Sequence, residues 1–198
     1  MQDQIILYNG PNSPFGRKTK ITALAQEINL EEKIINVYEA EFIDKYNPLR
    51  KIPTLVINQS SITDSDNICL YLDSISKKDT LFPKKNYWEI MNATSIANGL
   101  MESVLERRME TIRPENEKSK SFINKQEIRI ERTIKWIENN WNNNNDYLTI
   151  DQIAIACALD YTIFRFNNKW KSQNRKLNEW FEKFIKKDFM EATKPYDK

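Results

Sequence analysis

The chain has 198 residues, of which 40% are hydrophobic and 29% charged, a balance typical of a globular protein with one large domain or two small ones. Thirty lysines and arginines against 28 aspartates and glutamates leave a net charge of +2, which argues against a nucleic-acid or membrane-surface binder. The sequence contains no histidine, which excludes Ser-His-Asp hydrolysis, histidine zinc sites and histidine general-base chemistry.

Two further observations concern the location of the protein and its cysteines. The N-terminal segment MQDQIILYNG lacks the basic region and apolar core of a signal peptide, and no apolar run approaches the ~20 residues that span a bilayer, so we expect a cytoplasmic protein. Cys69 and Cys157 lie inside apolar helical patterns. They are interpreted as buried structural thiols rather than as a disulfide or metal ligands.

Apolar runs and turn signals in the first part of the chain alternate between strand and helix patterns. QIILYN ends at the turn signal NGPNSP, and the helix after it has Pro14 in its first turn, where a missing N–H costs nothing. The predicted order is β-α-β-α-β-β-α, with strands at 4–9, 33–38, 54–57 and 60–63 and helices at 14–28, around 40–46 and at 65–75.

The character of the sequence changes at SKKDTLFPKKN, a polar stretch interpreted as an interdomain linker. Beyond it the spacing predicts helices at 87–112, 117–141, 150–166 and 175–187, with an asparagine-rich turn NNWNNNND at 139–146. The fold class is therefore α/β followed by all-α. The predicted domains are 1–76 and 87–198, joined by a linker at 77–86.

Four segments of this pattern carry a resemblance to a known family. SPFGRKTKI, NPLRKIPTLVINQSSITDSDNICLYLD, LFP at 81–83 and YLTIDQIAIACAL are similar to the motifs of the cytosolic glutathione transferases. The first segment resembles the serine-type members, notably the tau class and related bacterial proteins. The resemblance implies a thioredoxin-like glutathione-binding domain followed by an all-helical domain.

One departure from the family pattern concerns the start of the core helix, where the family has Ser or Thr followed three residues later by Asp. Here Thr149 is followed by Gln152, and Asp151 is displaced by one. A Thr-x-x-Gln capping box is still expected, because the amide oxygen can accept the Thr149 N–H. It should be weaker than one with a carboxylate, since a neutral amide lacks the attraction to the positive helix end.

The resemblance places the glutamyl end of glutathione at the helix opened by Asp64 and Ser65. The Ser65 hydroxyl and free backbone N–H groups would bind the γ-glutamyl carboxylate, helped by the helix dipole, and Asp64 would pair with the ammonium group. The alternative is that Ser65 only N-caps its helix, a common role for serine.

The resemblance also assigns the segment around Pro53. It implies a cis peptide bond before Pro53, so that the Ile52 main chain pairs with the cysteinyl backbone of glutathione as an added strand would. Lys51 would neutralise the glycyl carboxylate; its alternative is a solvated loop lysine. Phe15 is expected to contact both glutathione and the second substrate.

The resemblance makes Ser13 the catalytic residue. Its hydroxyl would donate a hydrogen bond to the glutathione thiolate, and the helix N-terminus would add favourable potential. Serine is not a nucleophile here, which fits the absence of a histidine to activate it. Tyr8 is an alternative donor whose position favours packing, and Arg17 either strengthens the field or lies on the surface.

The pocket for the electrophile is expected between the domains, lined by Phe15, Met101, Leu105 and Arg108, with Met109 beside them. A Met and Leu stripe at helical spacing is also typical of plain core. The arginines of ERRMETIRP form either a solvated face or the mouth of an anion-friendly pocket.

The function implied is glutathione transfer to small electrophiles, with glutathione as co-substrate, no metal and a homodimeric assembly. A second hypothesis is a non-catalytic relative of the stringent-starvation type, which binds transcription machinery. A third is an isomerase or dehalogenase that uses glutathione on a dedicated substrate.

Overall fold

The structure, a computed structural model, describes residues 4–142 and 147–197. The chain forms two compact units, one from Met1–Pro83 together with Asp188–Lys198 and the other from Lys84–Lys187. The second unit therefore ends before the predicted second domain does, because the segment after Lys187 packs with the first unit.

The first unit is built on a four-stranded mixed sheet. Its strands are β1 (Ile5–Asn9), β2 (Glu31–Ile34), β3 (Thr54–Ile57) and β4 (Ser60–Thr63), in the order β2-β1-β3-β4. β1 pairs in parallel with β2, whereas β3 is antiparallel to both β1 and β4. The βαβ unit and the hairpin predicted from the sequence are confirmed.

Both faces of this sheet are covered by apolar packing. On one face, Leu7 and Leu55 pack with Ile68. On the other, Tyr8 and Val56 pack with residues of a short 3-10 helix at Glu41–Lys45. This alternation follows from the two-residue period of a strand.

The helices of the first unit are α1 (Pro14–Ala25), α2 (Ser65–Ser74) and the short α8 (Asp188–Glu191). α1 ends three residues earlier than predicted, because Glu27 adopts a positive φ of 53° and the Ile28 N–H bonds to the Ala23 carbonyl. Ile28 still packs against the core from outside the helix. The fold class, β-α-β-α-β-β-α followed by helices, is confirmed.

The predicted second strand, 33–38, is wrong at both ends. β2 begins at Glu31 and ends at Ile34. It stops there because Asn36 forms a turn, in which its side-chain oxygen accepts from the Tyr38 N–H at 3.2 Å and its carbonyl from the Glu39 N–H at 3.1 Å.

The second unit is helical. Its helices are α3 (Tyr87–Thr111), α4 (Lys120–Asn140), α5 (Ile150–Arg165), α6 (Trp170–Gln173) and α7 (Arg175–Phe184). α4 begins later than predicted, after a 3-10 turn at Glu115–Glu117, because Ser119 caps it by accepting from the Phe122 N–H at 3.2 Å. Half of the asparagine-rich turn predicted at 139–146, residues 143–146, lies outside the described residues, and its first two residues belong to α4.

The start of α5 contains the predicted capping box. The Thr149 N–H donates to Gln152 Oε1 at 3.4 Å, a long hydrogen bond in keeping with a weak cap. Asp151 is used differently: its Oδ2 accepts from Trp141 Nε1 at 2.7 Å. Burial raises the pKa of this carboxyl above its usual range.

Two kinds of feature are absent from the described residues. Within residues 4–142 and 147–197, no helix has the length and apolar character needed to cross a membrane. Over the same residues, no three His, Cys, Asp or Glu side chains are grouped so that they could hold a metal ion.

Candidate functional site

Three segments meet at one end of the sheet, where strands begin or end. Tyr8, Thr54 and Thr63 lie in one row across β1, β3 and β4. Because β3 is antiparallel to both neighbours, β1 and β4 end at this end of the sheet and β3 begins there. The turn after β1, the Pro53 segment and the start of α2 therefore lie at the same end of the sheet. In open α/β sheets, ligands bind at the carboxyl ends of strands.

Ser13 is the N-cap of α1. Its Oγ accepts a hydrogen bond from the Gly16 N–H at 3.1 Å, and its carbonyl accepts from the Arg17 N–H at 2.9 Å. Because the hydroxyl acts as an acceptor towards the helix, its own proton is left for another acceptor. Ser13 is partly exposed, and its hydroxyl stands at the positive end of α1.

The turn before Ser13 is fixed by Asn9, which the sequence analysis missed. This buried side chain accepts from the Gly10 N–H at 2.8 Å and donates to Glu32 Oε1 at 2.8 Å. A Cβ on Gly16 would lie 1.6 Å from Asn9 Oδ1, so only glycine lets the first turn of α1 sit on this amide. A polar residue that ends a buried strand was the available signal.

Tyr8 has a packing role. Its ring lies 5.2 Å from that of Phe42 and 6.1 Å from that of Tyr46, measured between centroids. These partners lie on the sheet face opposite to the one that carries Leu7. The interpretation of Tyr8 as a core residue is confirmed.

The segment before β3 has the predicted cis peptide bond between Ile52 and Pro53. The Lys51 carbonyl accepts from Asn47 Nδ2 at 2.9 Å and from Thr54 Oγ1 at 2.8 Å, which anchors the loop. Among the described residues, the Ile52 backbone makes no hydrogen bond to another backbone group. The Lys51 side chain is exposed and forms no ion pair within residues 4–142 and 147–197.

The start of α2 differs from one of the two predictions for Ser65, the one that makes it the N-cap of the helix. Asp64, not Ser65, is the N-cap: its Oδ1 accepts from the Asp66 N–H at 2.9 Å and from the Asn67 N–H at 3.2 Å. The interpretation of Ser65 as the cap is therefore wrong. Ser65 occupies the first helical position, where neither its N–H nor its hydroxyl has a partner in the part of the chain that the structure describes.

Asp64 holds an unusual backbone conformation, with φ at 71° and ψ at 132°. A non-glycine residue rarely adopts a positive φ, and such outliers concentrate at ligand sites. The conformation lets Oδ1 fold back onto the helix end, and Asp64 as a residue is exposed.

Lys18 is the second residue that the sequence analysis missed. It stands in α1, is completely buried, and its ammonium group forms an ion pair with Asp66 in the first turn of α2. The pair ties the two helices that flank the candidate site. A lysine in a helix ordinarily suggests solvent exposure, so the sequence held no usable signal for its burial.

Cys69 lies behind this pair and is a buried free thiol, as predicted; Cys157 is another. Burial raises the pKa of the Cys69 thiol to about 11, although Lys18 and the hydrogen bond from Thr22 Oγ1 at 3.2 Å both act in the opposite direction. A thiol with so high a pKa is not a nucleophile at neutral pH.

The residues predicted for the electrophile pocket belong to both units. Phe15 is partly buried in the first unit. In α3, Met101 is completely buried, whereas Leu105 is 36% exposed and Arg108 is partly exposed. Their grouping into one pocket stays a prediction.

Arg107 in α3 and Arg113, two residues beyond the end of α3, each have an acidic partner. Arg107 Nε donates to Glu127 Oε1 at 2.8 Å, and Arg113 pairs with Glu110 at 3.4 Å. These pairs favour the solvated face over the anion-friendly pocket mouth.

Arg17 has its own environment: it is 5% exposed and bonds to the chain beyond residue 187. The interpretation of Arg17 as a surface residue is wrong, because its guanidinium is covered by the segment that packs on α1.

Comparison with known proteins gives consistent results. Residues 7–79 match the family model of the glutathione S-transferase N-terminal domain. An uncharacterised GST-like protein of Escherichia coli (strain K12), YibF, is 28% identical over 160 residues, which cover 77% of this chain and 79% of YibF.

Two solved structures resemble the whole chain. A glutathione S-transferase from Methylobacillus flagellatus with glutathione bound has a TM-score of 0.92 at 25% identity, covering 98% of this chain and all of the other (100%). A glutathione transferase family member from Pseudomonas fluorescens Pf-5 with bound glutathione has a TM-score of 0.90, also at 25% identity and with the same coverage of 98% and 100%. Residues 7–79 thus resemble the glutathione S-transferase N-terminal domain, and the fold of the chain is that of the glutathione transferases.

Proposed function

We propose that the protein is a glutathione transferase that stabilises the glutathione thiolate and presents it to a small electrophile. The observation that carries this proposal is the orientation of Ser13. Its hydroxyl accepts from the Gly16 N–H, so the hydroxyl proton can be donated to a ligand at the helix end. Two structural relatives contain bound glutathione, which supports the choice of ligand.

The proposal gives each polar group of glutathione a candidate partner at the same end of the sheet. In this proposal the γ-glutamyl carboxylate binds the unpartnered N–H and hydroxyl of Ser65, and the ammonium group binds Asp64 Oδ2. The free backbone of Ile52 pairs with the cysteinyl residue as an added strand. Lys51, whose ammonium group is exposed, neutralises the glycyl carboxylate, and Phe15 lies against the ligand.

The chemistry follows from the thiol. A free thiol has a pKa near ~8.5, and each unit by which the site lowers it is worth ~1.4 kcal/mol. The Ser13 hydroxyl and the positive end of α1 both favour the thiolate. The thiol proton passes to solvent, the sulfur forms a bond to the electrophilic carbon, and the leaving group departs with the bonding electron pair.

The remaining assignments belong to the same proposal. The electrophile contacts Phe15, Met101, Leu105 and Arg108, the protein acts in the cytoplasm as a homodimer, and it uses no metal. The balanced charge supports a small-molecule substrate rather than a nucleic-acid or membrane partner.

The decisive experiment is a calorimetric titration of the full chain with glutathione. We expect saturable binding and conjugation of a chloronitrobenzene-type electrophile. No heat of binding at millimolar glutathione would overturn the proposal. Binding without conjugation would point instead to an isomerase or dehalogenase that uses glutathione on a dedicated substrate.

A further inference from the structure

The segment Asp188–Asp197 returns from the second unit and packs on the first. It begins with α8, which lies against α1, and continues without regular structure to Asp197. We call residues 188–197 the strap. Its contacts with the N-terminal residues are specific hydrogen bonds, and they fall on both sides of Ser13 in the sequence.

The far end of the strap holds the two residues that precede Ser13. The Tyr196 N–H donates to the Pro11 carbonyl at 3.3 Å, and Asn12 Nδ2 donates to Asp197 Oδ1 at 3.1 Å. Pro11 and Asn12 belong to the turn between β1 and α1, where the main chain makes few hydrogen bonds of its own. The strap therefore supplies a backbone partner and a side-chain partner to this turn.

The near end of the strap holds the first turn of α1 through Arg17. Arg17 Nε donates to Thr193 Oγ1 at 3.2 Å, and Arg17 Nη2 donates to the Met190 carbonyl at 3.1 Å. The Thr193 hydroxyl donates in turn to the Phe189 carbonyl at 2.7 Å, which directs its lone pairs to the guanidinium. Because the Arg17 N–H bonds to the Ser13 carbonyl, this anchor lies one hydrogen bond away from Ser13.

The strap supplies hydrogen-bond acceptors to a buried cation, Arg17. The side chain is only 5% exposed, and a buried cation is tolerated only where acceptors replace its hydration. The strap provides such acceptors. Removal of the Thr193 acceptor is therefore expected to weaken the attachment of the strap to the first turn of α1.

We propose that the strap positions the Ser13 hydroxyl, with Arg17 and Asn12 as its attachment points in the N-terminal unit and Thr193 and Asp197 as their partners. These are positioning residues, since none of them is assigned a contact with the reacting sulfur. The inference rests on the proposed function, in which Ser13 donates to the glutathione thiolate. It extends that function by making the turnover depend on a segment distant in sequence.

The test uses the full chain with the double substitution Thr193→Val and Asp197→Ala, which changes only the strap. The matched control is Glu191→Ala, because Glu191 is an exposed strap residue whose carboxylate pairs only with Lys194 within the described residues. We expect kcat to fall by roughly 10- to 100-fold, the scale of a small misplacement at a reacting group. Glutathione affinity should be unchanged, because the Ser65 and Ile52 segments are untouched.

Two further readouts separate positioning from a general loss of stability. The pKa of the bound glutathione thiol, followed by the ultraviolet absorbance of the thiolate, should rise in the double variant and not in the control. Amide hydrogen exchange at Gly16 and Arg17, the two N–H groups bonded to Ser13, should become faster. If the double variant does not fold, Asp197→Ala alone, at an exposed position, removes the Asn12 attachment and tests that end of the strap with the same readouts.

The outcomes are distinct. Turnover, thiol pKa and amide exchange that match the Glu191→Ala control would overturn the strap proposal. If the parent protein binds no glutathione, the proposed function fails, and the amide exchange alone decides whether the strap holds the Ser13 turn: faster exchange supports it and unchanged exchange refutes it.

Discussion

The substitution Ser13→Ala removes a hydroxyl that caps α1 in the structure and that, in the proposed function, donates to the glutathione thiolate. As an acceptor, the hydroxyl caps α1 through the Gly16 N–H at 3.1 Å. As a donor, it faces the proposed thiolate. Alanine abolishes both roles, and the two losses have different magnitudes and different observables.

The loss of the cap is a stability effect. Replacing a serine N-cap by alanine costs about 1 kcal/mol. For a chain of this size such a loss lowers the melting temperature by about 2–4 °C. The loss of the donor is a rate effect, and removal of one preorganised donor to a developing or stabilised anion costs about 10²–10³-fold in kcat. We therefore expect a small fall in melting temperature together with a large fall in turnover.

The chain offers a matched control in Ser119→Ala. Ser119 caps α4 in the same way, with its Oγ accepting from the Phe122 N–H at 3.2 Å, but it has no part in the proposed site. Both variants should lose a similar amount of thermal stability, and only Ser13→Ala should lose turnover. Ser13→Thr, which keeps the hydroxyl, should retain the cap.

The reasoning is refuted if Ser13→Ala loses no more turnover than Ser119→Ala while both melt earlier than the parent. Ser13 would then be a helix cap and nothing more. The thiolate donor would have to be Asn12 or a backbone N–H, because the Tyr8 ring is buried among Phe42 and Tyr46.

Three further predictions follow from buried groups near the site. Asp66→Asn should destabilise the protein by about 3 kcal/mol in urea unfolding, because it removes the counter-ion of the buried Lys18 ammonium group. Lys18→Met should cost less, because it removes the charge itself, and equal losses of stability would contradict this account. Gly16→Ala should lower the stability by about 1–3 kcal/mol, because its Cβ would overlap with the Asn9 amide, whereas Gly99→Ala, with open space around its Cβ inside α3, should raise it by about 0.5–1 kcal/mol. Two shifts of the melting temperature with the same sign would refute the packing argument. Burial raises the pKa of the Cys69 thiol to about 11, so this cysteine should resist a disulfide reagent at pH 8 in the folded protein and react once urea unfolds it. Rapid labelling without denaturant would contradict this prediction, because it would show that the thiol is accessible.

The parts of the fold that the sequence predicts are those governed by local pattern. Buried strands appear as apolar runs, and the Pro53 segment and the capping box at Thr149 appear as short motifs with fixed spacing. The end of β2 was harder to predict, because KIINVY continues the strand pattern. Only the turn at Asn36, formed by its own side chain, stops the strand.

The candidate site was predictable at the level of segments and less so at the level of roles. Asp64 and Ser65 are both good N-cap residues, and only the positive φ of Asp64 decides between them. The burial of Lys18 and Arg17 depends on partners far away in the sequence, Asp66 in one case and the strap in the other. Tertiary partners of this kind leave no periodic signal in the residues that they cover.

The strap also has a consequence for how the protein is made. The unit that carries Ser13 is discontinuous: residues 84–187, a complete helical unit, lie between its main part and residues 188–197. During synthesis the first unit emerges first, yet its last contacts form only after the whole second unit has been translated. The hydrogen bonds between Arg17 and the strap can therefore form only after the helical unit has been synthesised.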